Sequence, residues 1–414
     1  MEFPPVNEQM DAIRHGALEI VPEDELVKKL ERASEKGTPL IIKQGFDPTR
    51  PDLHIGHAVS IRKLRTFQEL GHTVVFVVGD YTARVGDPSG RSETRPALSP
   101  EEIEANARTY AAQVGRILEV DRVRVEYNST WLAPLNLADI LELTSAYTVA
   151  RMLERDDFEK RMRENRPISM MELMYPLMQA YDSVALGADV ELGGSDQKFN
   201  LLVARTIQER YDQDPQVCLI MPLLRGTDGD QKMSKSYDNY IGIAESPEEM
   251  YGKTMSIPDA LLEEWYTLAS GLTGEPLRSA LSRVSESPYE AKRELARRVT
   301  ATYHGEDGAV AGAEHFDTVF RKKEEPDEMP EVAVRLSHPD VRYEEEAVWL
   351  PGLLVVAGLA GSKSEAIRLI EQGAVAVDGD VLSDRGATVP AAAGQERVVR
   401  RGKRKFARVR FTAD

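Results

Sequence analysis

The sequence predicts an α/β fold built on a doubly wound parallel sheet, and three features of the chain support this prediction. Short runs of apolar residues, which are typical of buried strands, alternate with longer segments of helical periodicity. The runs are nearly continuous in apolar residues, as expected for parallel strands that are covered on both faces. Clusters of Gly, Pro and polar residues follow directly after several runs. Because ligands bind at the carboxyl ends of the strands in such a sheet, these clusters mark its functional edge.

The predicted elements begin with a helical arm at residues 1–38, in which Leu26, Leu30 and Ala33 share one face. Strands are then predicted at residues 40–42, 73–78, 123–127, 189–192 and 216–221. Helices are predicted from about His54 onward and at residues 100–118, 137–153 and 169–186. The turns after the first, second and last of these strands lie at one edge of the sheet. Residues in those turns are therefore candidates for a binding site.

Composition limits the class of protein. A chain of 414 residues suggests roughly three domains, and 42% apolar residues is typical of a globular protein. The net charge of −17 argues against a protein that coats nucleic acid over its whole surface. From Trp349 to the end, however, the chain carries 11 Lys and Arg against 7 Asp and Glu. This asymmetry indicates a basic module attached to an acidic body.

The cysteine count and the chain ends bear on the compartment. A single cysteine, Cys218, cannot form an internal disulfide or a cysteine-based zinc site, and its apolar surroundings predict a buried thiol. The N-terminus does not resemble a signal peptide. The longest uncharged run, residues 347–362, is too short and too rich in glycine to span a bilayer. We therefore expect a cytoplasmic protein.

The turn after the first strand reads G-F-D-P-T-R-P-D-L-H-I-G-H at residues 45–57. It leads into a helix that begins near His54, and a helix start offers unpaired N–H groups and a positive dipole end to phosphate. His54 and His57 add donors there, and Gly56 lets a nucleotide lie close to the backbone. Taken alone, the two histidines could equally well be a helix cap and a surface residue.

A second motif, Q-K-M-S-K-S at residues 231–236, follows a turn-forming stretch and is expected on an exposed loop. Lys232 and Lys235, with Ser234 between them, form a compact clamp for phosphate. Taken alone, such a peptide is more often a solvated loop. The two motifs occur in this order and about 175 residues apart. Together they resemble the H-I-G-H and K-M-S-K-S signatures of class I aminoacyl-tRNA synthetases.

Three further stretches narrow this resemblance. The first, G-D-P-S-G-R at residues 86–91, would by itself be a plain turn. In the second, Tyr175, Gln179 and Asp182 share one helix face among apolar neighbours, which indicates the wall of a pocket. The third, G-G-S-D-Q at residues 193–197, lies between a strand and a helix. With the two motifs, these stretches resemble the tyrosyl-tRNA synthetases, and the resemblance covers nearly the whole chain.

The resemblance implies roles for individual residues. Asp87, Tyr175 and Gln179 would hold the amino group of tyrosine, and Asp182 would accept its phenolic hydroxyl. The full set of implied tyrosine-binding residues is Gly45, Asp47, Asp87, Tyr175, Gln179 and Asp182. The implied ATP-binding residues are Gly56, Asp196, Gln197, Met233 and Ser234. The implied catalytic residues, which stabilise the ATP phosphates, are Thr49, His54, His57, Lys232 and Lys235.

One position departs from the best-known members of this family. They carry a tyrosine two residues before the glycine that matches Gly45, and that tyrosine helps to recognise the phenol. Here the position is Lys43. A bacterial subgroup whose loop also has the sequence K-M-S-K-S shares this departure. The resemblance therefore leaves the second partner of the phenol, beside Asp182, unidentified.

The resemblance also divides the chain. It implies a Rossmann-like catalytic domain with a connective helical insertion at residues 1–242, a helical anticodon-side domain at 243–330, a linker at 331–346 and an S4-like RNA-binding domain at 347–414. A terminal basic run is often a solvated tail, but Phe406, Val409 and Phe411 interleave with the charges and favour a structured strand. The candidate RNA-binding residues are Lys363, Arg401, Lys403, Arg404 and Lys405.

The implied function is a tyrosine–tRNA ligase that uses ATP with Mg²⁺ as a substrate complex and binds tRNA, with no prosthetic group. The family is dimeric, and the region 137–163 could supply a helical interface. Three alternatives stay open on the sequence: a tryptophanyl-tRNA synthetase, a small-molecule adenylyl or nucleotidyl transferase, and a synthetase-derived RNA-binding protein without catalysis. Intact His54, His57, Lys232 and Lys235 argue against the last of these.

Overall fold

The computed structural model describes residues 3–48, 52–89, 99–321, 329–344, 346–402 and 405–413. Residue contacts divide the chain into two compact units, Met1–Ala309 and Val310–Asp414. The first unit contains the sheet and both sequence motifs. The second contains the basic end of the chain.

The helices up to the end of the first unit are α1 (Val6–Arg14), α2 (Glu23–Lys36), α3 (Ile55–Glu69), α4 (Pro100–Val114), α5 (Ser129–Leu132), α6 (Leu137–Ser145), α7 (Val149–Met152), α8 (Asp156–Arg163), α9 (Met170–Leu186), α10 (Lys198–Arg210), α11 (Pro247–Met255), α12 (Leu262–Ala269), α13 (Gly274–Glu286) and α14 (Pro288–Phe316). Its strands are β1 (Glu19–Val21), β2 (Ile41–Phe46), β3 (Thr73–Val78), β4 (Val123–Tyr127), β5 (Val190–Gly194) and β6 (Val217–Met221). The helix α14 is interrupted at Gly305, whose φ of 72° lies in the left-handed region that glycine tolerates.

The six strands form one sheet in the order β1-β6-β5-β2-β3-β4. All neighbours are parallel except the short edge strand β1, which pairs antiparallel with β6. The chain order reverses between β2 and β5, so the carboxyl ends of these two strands form a topological switch point. The predicted doubly wound parallel sheet is confirmed. The edge strand β1 was not predicted, because three residues give too short a pattern.

The core explains why the strands have near-continuous apolar sequences. Val74, Phe76 and Val78 of β3 pack against Ile61 and Leu64 on the buried face of α3. The helices between residues 257 and 303 contribute to the same cluster of buried apolar side chains, so the helical segment and the sheet share one core. Burial on both faces of the sheet removes the polar alternation of a solvent-facing strand.

The helices differ from prediction mainly in length. The segment 137–153, predicted as one helix, is two helices, α6 and α7. The Thr148 side chain accepts a hydrogen bond from the Arg151 N–H, so a new helix starts there. The long helix predicted at 169–186 is α9, with Ser169 as its cap. It carries the pocket-facing residues described below.

The second unit adds the strands β7 (Glu331–Arg335), β8 (Tyr343–Glu344), β9 (Ala347–Trp349), β10 (Val375–Val377), β11 (Asp380–Leu382), β12 (Thr388–Pro390), β13 (Glu396–Arg401) and β14 (Lys405–Thr412), and the helices α15 (Leu350–Val356) and α16 (Lys363–Glu371). The strands form a sheet in the order β11-β10-β13-β14-β7 and a smaller one in the order β12-β9-β8. Val409 and Phe411 of β14 are buried, as expected for a structured strand.

The segment 331–346, which the sequence suggested as a linker, requires correction. It holds β7 and β8, and β7 pairs in parallel with β14 over residues 331–335. Val334 is fully buried in the core of the second unit. Glu331 and Arg335 are exposed at the two ends of β7, which is an edge strand of its sheet. The other predicted domain boundaries stay predictions.

Candidate active site

A cavity of about 340 Å³ opens at the carboxyl ends of the central strands. Its wall includes residues that follow β2, β3, β5 and β6, together with one face of α9. This is the switch point between β2 and β5, where two neighbouring strands lead their connections away in opposite directions. The cavity therefore lies at the edge of the sheet that the sequence indicated.

The two histidines lie together at the start of α3. His54 is the N-cap residue, its backbone N–H donates to Nδ1 of His57 at 3.3 Å, and the two rings stack with centroids 3.7 Å apart. Burial, followed by the charges of Lys235 and Lys232, lowers the pKa of His57 to about 4, and burial lowers the pKa of His54 well below its ordinary value. Both rings are therefore neutral near pH 7. In that state each can donate one N–H to a ligand without carrying a charge of its own.

The backbone at this helix start is closely packed against the lysine loop. Gly56 donates its N–H to the sulfur of Met233 at 3.2 Å. A Cβ at Gly56 would lie 3.0 Å from Nδ1 of His54 and 3.3 Å from Cβ of Met233. The first motif and the second are thus in direct contact, although they are far apart in sequence. A side chain at this glycine would push the loop away from the histidines.

The lysines of the second motif lie at the cavity, each beside a carboxylate. Nζ of Lys232 is 2.7 Å from Oδ2 of Asp196, and Nζ of Lys235 is 3.4 Å from Oδ2 of Asp52. The Lys235 ammonium also lies 5.6 Å from the ring centre of Tyr240. Phosphate oxygens bind ammonium groups more strongly than a partly exposed carboxylate does. A polyphosphate in the cavity could therefore replace the carboxylate as the partner of each lysine.

One residue that the sequence did not suggest, Asn239, fixes the shape of this loop. Its side-chain oxygen accepts from the N–H of Ser234 at 2.8 Å, and its amide donates to Oδ2 of Asp228 at 2.8 Å and to the carbonyl of Lys232 at 3.2 Å. Asn239 is 1% exposed. A buried amide with this many partners holds both ends of the loop in one conformation.

On the opposite side of the cavity, Asp47 is surrounded by hydroxyl donors. Tyr175 donates to its Oδ2 at 2.9 Å and Thr82 donates to its Oδ1 at 2.7 Å. Burial is the largest cause that raises the pKa of Asp47 to about 7, and the nearby carboxylates of Asp87 and Asp182 act in the same direction. A Cβ at Gly79 would overlap the Asp47 carboxylate, so only glycine leaves it room.

Asp182 lies deeper on the same face of α9 and is 3% exposed. Its Oδ1 accepts from the indole N–H of Trp131 at 2.8 Å, and its Oδ2 accepts a long bond from the amide of Asn128 at 3.4 Å. Burial raises the pKa of Asp182 to about 6, and the positive charge of Lys43 is the largest opposing influence. Oδ2 has the weaker of the two protein donors, so this oxygen is the better placed to accept a further hydrogen bond.

The stretch after β3 forms a second cluster of polar side chains. Oδ2 of Asp87 accepts from the Gln197 amide at 2.7 Å, and its Oδ1 accepts from the N–H of Ser89 at 2.8 Å. Arg155, which is 4% exposed, donates to the hydroxyl of Ser89 and lies 3.4 Å from Oδ1 of Asp87. Asn200 links Gln197 onward to Gln179. The carboxylate of Asp87 is thereby oriented by groups from three elements.

The structure brings most of the sequence-predicted residues to this one cavity. The predicted residues that line it are Gly45, Asp47, His54, Gly56, His57, Asp87, Tyr175, Gln179, Asp182, Asp196, Gln197, Lys232, Met233, Ser234 and Lys235. Thr49, also predicted, lies outside the described residues. Asn128, Trp131, Thr82 and Arg155 were missed. Asn128 and Trp131 follow β4 directly, so their position after a parallel strand was the available signal.

The candidate RNA-binding residues of the second unit have different surroundings. Lys363 pairs with Asp340 at 2.5 Å, and Arg401 pairs with Glu365 at 2.7 Å and donates to the carbonyl of Leu359 at 2.8 Å. Lys405 is exposed at the start of β14. Lys403 and Arg404 lie outside the described residues. Arg401 is thus held within the fold, whereas Lys405 faces solvent.

Within the described ranges, no helix is both long and apolar enough to cross a membrane.

Both units of the chain are similar to known proteins. The family described as "tRNA synthetases class I (W and Y)" matches residues 35–321, and the family described as "Tyrosine--tRNA ligase SYY-like C-terminal domain" matches residues 331–409. A tyrosine–tRNA ligase of Moorella thermoacetica is 52% identical over 407 residues, which are 98% of this chain and 96% of that protein. One of Salinibacter ruber is 48% identical over 410 residues, 99% of this chain and 98% of that protein.

Solved structures agree on the fold. The tyrosyl-tRNA synthetase of Aeropyrum pernix superposes with a TM-score of 0.60 at 22% identity, covering 75% of this chain and 96% of that one. The synthetase of Archaeoglobus fulgidus, solved with L-tyrosine, gives a TM-score of 0.61 at 22% identity and covers 75% of this chain and 99% of that one. At this identity the likeness concerns the fold alone.

Proposed function

The chain belongs to the tyrosine–tRNA ligases among the class I aminoacyl-tRNA synthetases, and we propose that its cavity divides the reaction between a phosphate-binding side and a tyrosine-binding side. The enzyme activates tyrosine with ATP and transfers it to tRNA. The observation that carries the proposal is that the histidines of the first motif and the lysines of the second line the same cavity as the polar face of α9. The following assignments of individual residues rest on that arrangement.

In the first step, the tyrosine carboxylate attacks the α-phosphate of Mg·ATP. A carboxylate–phosphorus bond forms, the bond from the α-phosphorus to the bridging oxygen breaks, and pyrophosphate leaves. The carboxylate is already a competent nucleophile, so the protein need supply only orientation and stabilisation of charge. Lys232 and Lys235 would neutralise the departing pyrophosphate, with neutral His54 and His57 as N–H donors to the phosphates. Thr49 is assigned to the same group by resemblance.

The tyrosine-binding side of the cavity is assigned to its carboxylates, Asp47, Asp87 and Asp182, and to the polar face of α9. Asp87, Tyr175 and Gln179 would hold the ammonium group, and Asp182 would accept the phenolic hydroxyl through Oδ2. Trp131 and Asn128 already donate hydrogen bonds to Asp182. They support this assignment because they fix its carboxylate in place before the substrate binds. In the second step, a terminal ribose hydroxyl of tRNA attacks the carbonyl carbon of the adenylate, and AMP leaves.

The experiment that tests the proposal is amino-acid-dependent exchange of labelled pyrophosphate into ATP, without tRNA. We expect exchange with tyrosine and much weaker exchange with tryptophan or phenylalanine. Exchange that is equal for all three would contradict the assignment of Asp182. Absence of exchange from folded protein with Mg²⁺ would contradict the assignment of the histidines and lysines.

We also propose that the enzyme is a dimer that works in the cytoplasm, where charged tRNA is consumed. Several large apolar side chains near the predicted interface region are exposed in the monomer: Leu137 at 73%, Leu141 at 61%, Val149 at 60%, Met162 at 57% and Met170 at 76%. A patch of this kind is typical of a protein interface. Sedimentation equilibrium of the wild-type chain and of Leu137→Glu tests it, and a monomeric wild-type protein at micromolar concentration would contradict it.

The second unit would bind the tRNA backbone through its basic strand. Its contribution is tested by measuring tRNA affinity at several salt concentrations for the wild type and for Lys405→Ala. Loss of one phosphate contact lowers the slope of log affinity against log salt by about one. An unchanged slope would remove Lys405 from the interface.

A further inference from the structure

Beneath the tyrosine side of the cavity, Lys43 and Glu191 form an ion pair that is removed from solvent. The two residues are direct partners on the neighbouring parallel strands β2 and β5, at the switch point of the sheet. Nζ of Lys43 is 3.2 Å from Oε1 of Glu191, and each side chain is 1% exposed. Two ions are costly to bury, and a pair of apolar side chains of similar volume often stabilises a fold as well or better. A role in function is therefore worth seeking.

The pair is also tied to the helix that carries the pocket residues. The Lys43 ammonium donates to the carbonyl of Gln179 at 3.1 Å, and the side-chain amide of Gln179 donates to Oε1 of Glu191 at 3.0 Å. The hydroxyl of Ser183 donates to Oε2 of Glu191 at 3.3 Å, and Gln216 donates to the same oxygen. Gln179 and Ser183 flank Asp182 on α9. The ion pair therefore holds the turn of helix on which Asp182 is mounted.

We propose that Lys43 is a positioning and specificity-determining residue, which acts through Asp182 to make the phenol end of the pocket an acceptor of the tyrosine hydroxyl. The inference rests on the proposed role of Asp182 as the phenol acceptor. Lys43 is not among the residues that line the cavity, so it acts from below the pocket rather than by contact with the substrate.

The charges around Asp182 support this assignment. From the strands, Lys43 of β2 and Glu191 of β5 face it with opposite signs. From the cavity side, the negative charge of Asp182 raises the pKa values of Asp47 and Tyr175. Trp131 and Asn128 add neutral donors. Lys43 is the cation of this group, so it offsets both burial and the charge of Glu191, which favour a protonated Asp182.

The protonation state of Asp182 matters for selectivity. An ionised carboxylate can only accept hydrogen bonds, so its free lone pairs require a donor such as a phenol O–H. Phenylalanine brings no donor and would leave a buried charge unsatisfied, which is costly. A protonated Asp182 carries its own O–H and no charge, so it penalises phenylalanine less. Lys43 thus favours the state of Asp182 that distinguishes the two amino acids.

The test uses two variants. Lys43→Met keeps the unbranched side chain, one heavy atom shorter, and removes the positive charge; Glu191→Gln keeps the shape and removes the negative charge. For each, kcat/KM for tyrosine and for phenylalanine is measured by pyrophosphate exchange between about pH 5 and pH 9. We expect Lys43→Met to move the acid limb of the tyrosine profile to higher pH by about one unit. We expect Glu191→Gln to move it to lower pH. Because the pKa of Asp182 is about 6, a rise of one unit should lower tyrosine selectivity about twofold at pH 7 and roughly tenfold at pH 5 in the first variant. Selectivity should be retained in the second variant.

Shifts in opposite directions separate this role from a structural one, because loss of packing does not move a titration in a direction set by the sign of a deleted charge. If Lys43→Met does not fold, Lys43→Met combined with Glu191→Gln removes the unpaired carboxylate. That double variant should still be less selective than the wild type, because Lys43 has a larger effect on the pKa of Asp182 than Glu191 has. Limb shifts in the same direction, or unchanged limbs and selectivity in folded variants, would overturn the proposal.

Lys29 is also a buried lysine, but it pairs with Asp189 at 3.2 Å and with Asp214 at 3.3 Å rather than with Glu191. Lys29→Met is therefore the matched control and should leave the profile unchanged. Asp182→Asn separates the two levels of inference. If it leaves selectivity intact, the proposed role of Asp182 fails. If it abolishes selectivity while Lys43→Met does not affect it, only the role of Lys43 fails.

Discussion

Replacing Asp47 by asparagine should stabilise the protein while removing its activity. Asp47 is a carboxylate held in a site where burial and two other carboxylates raise its pKa to about 7 from the ordinary value of 3.8. Because the folded pKa is raised, the folded state favours the protonated form. The favourable contribution of Asp47 to the free energy of unfolding is therefore fully present below about pH 4. It is lost as the pH rises through about 7. Asparagine, which has no charge at any pH, escapes this penalty.

The magnitude follows from the two pKa values. At pH 8 the difference between about 7 and 3.8 corresponds to about 4 kcal/mol, at ~1.4 kcal/mol per pKa unit. Water in the cleft screens part of this, and the amide loses an acceptor for Tyr175 or Thr82, which costs about 1–2 kcal/mol. We expect a net gain of about 2 kcal/mol at pH 8. At pH 5 the folded carboxyl is already protonated, so the penalty falls to about 1.5 kcal/mol and the net gain is near zero.

Thermal unfolding of the full chain, wild type and Asp47→Asn, at pH 5 and pH 8 measures this difference. A gain of about 2 kcal/mol corresponds to a rise of roughly 2–3 °C in Tm for a chain of this size. This rise should be present at pH 8 and nearly absent at pH 5. Asp121→Asn, at an exposed position on the surface, is the control and should change neither value. A variant that is less stable than the wild type at pH 8, or equally stabilised at both pH values, would refute the reasoning.

Three further predictions concern the reaction. Lys235→Ala should lower the rate of adenylate formation about ten- to hundredfold in single-turnover measurements, because a charged contact to pyrophosphate is lost. The affinity for tyrosine, measured by fluorescence, should hardly change. A large loss of tyrosine affinity with an unchanged rate would contradict the assignment of Lys235. Asp182→Ala should reduce the ratio of kcat/KM for tyrosine over phenylalanine, and an unchanged ratio would remove Asp182 from the phenol site. Asn239→Ala should raise KM for ATP and lower kcat about tenfold, because the lysine loop loses its fixed shape, and a change confined to KM for tyrosine would argue against that role.

The fold and much of the site were predictable because they depend on local sequence. The apolar run of β3 and the periodic face of α3 each lie within one stretch of the chain, and parallel strands direct their turns to one edge. The polar stripe of α9 followed from helical spacing alone. These features need no knowledge of what the rest of the chain does.

The residues that were missed depend on contacts between distant segments. Trp131 is a partner of Asp182 only because the turn after β4 reaches across to α9. Asn239 acts on the lysine loop by folding back over it, which no periodicity reveals. Lys43 was noticed as a departure from a family pattern, but its partner Glu191 emerges only when β2 and β5 are placed side by side. Pairing between strands far apart in sequence is the information that one sequence lacks.

The distribution of charge in the cavity would determine how tyrosine is oriented relative to ATP. The ammonium groups of Lys232 and Lys235 lie with the helix start at the side of the first motif, whereas the carboxylates of Asp47, Asp87 and Asp182 lie toward α9. Tyrosine carries an ammonium at one end of its α-carbon and a carboxylate at the other. In the proposed site, tyrosine would be attracted with its ammonium toward the carboxylates and with its own carboxylate toward the lysines that are assigned to the polyphosphate. The same field would then turn the nucleophile toward the phosphorus that it attacks.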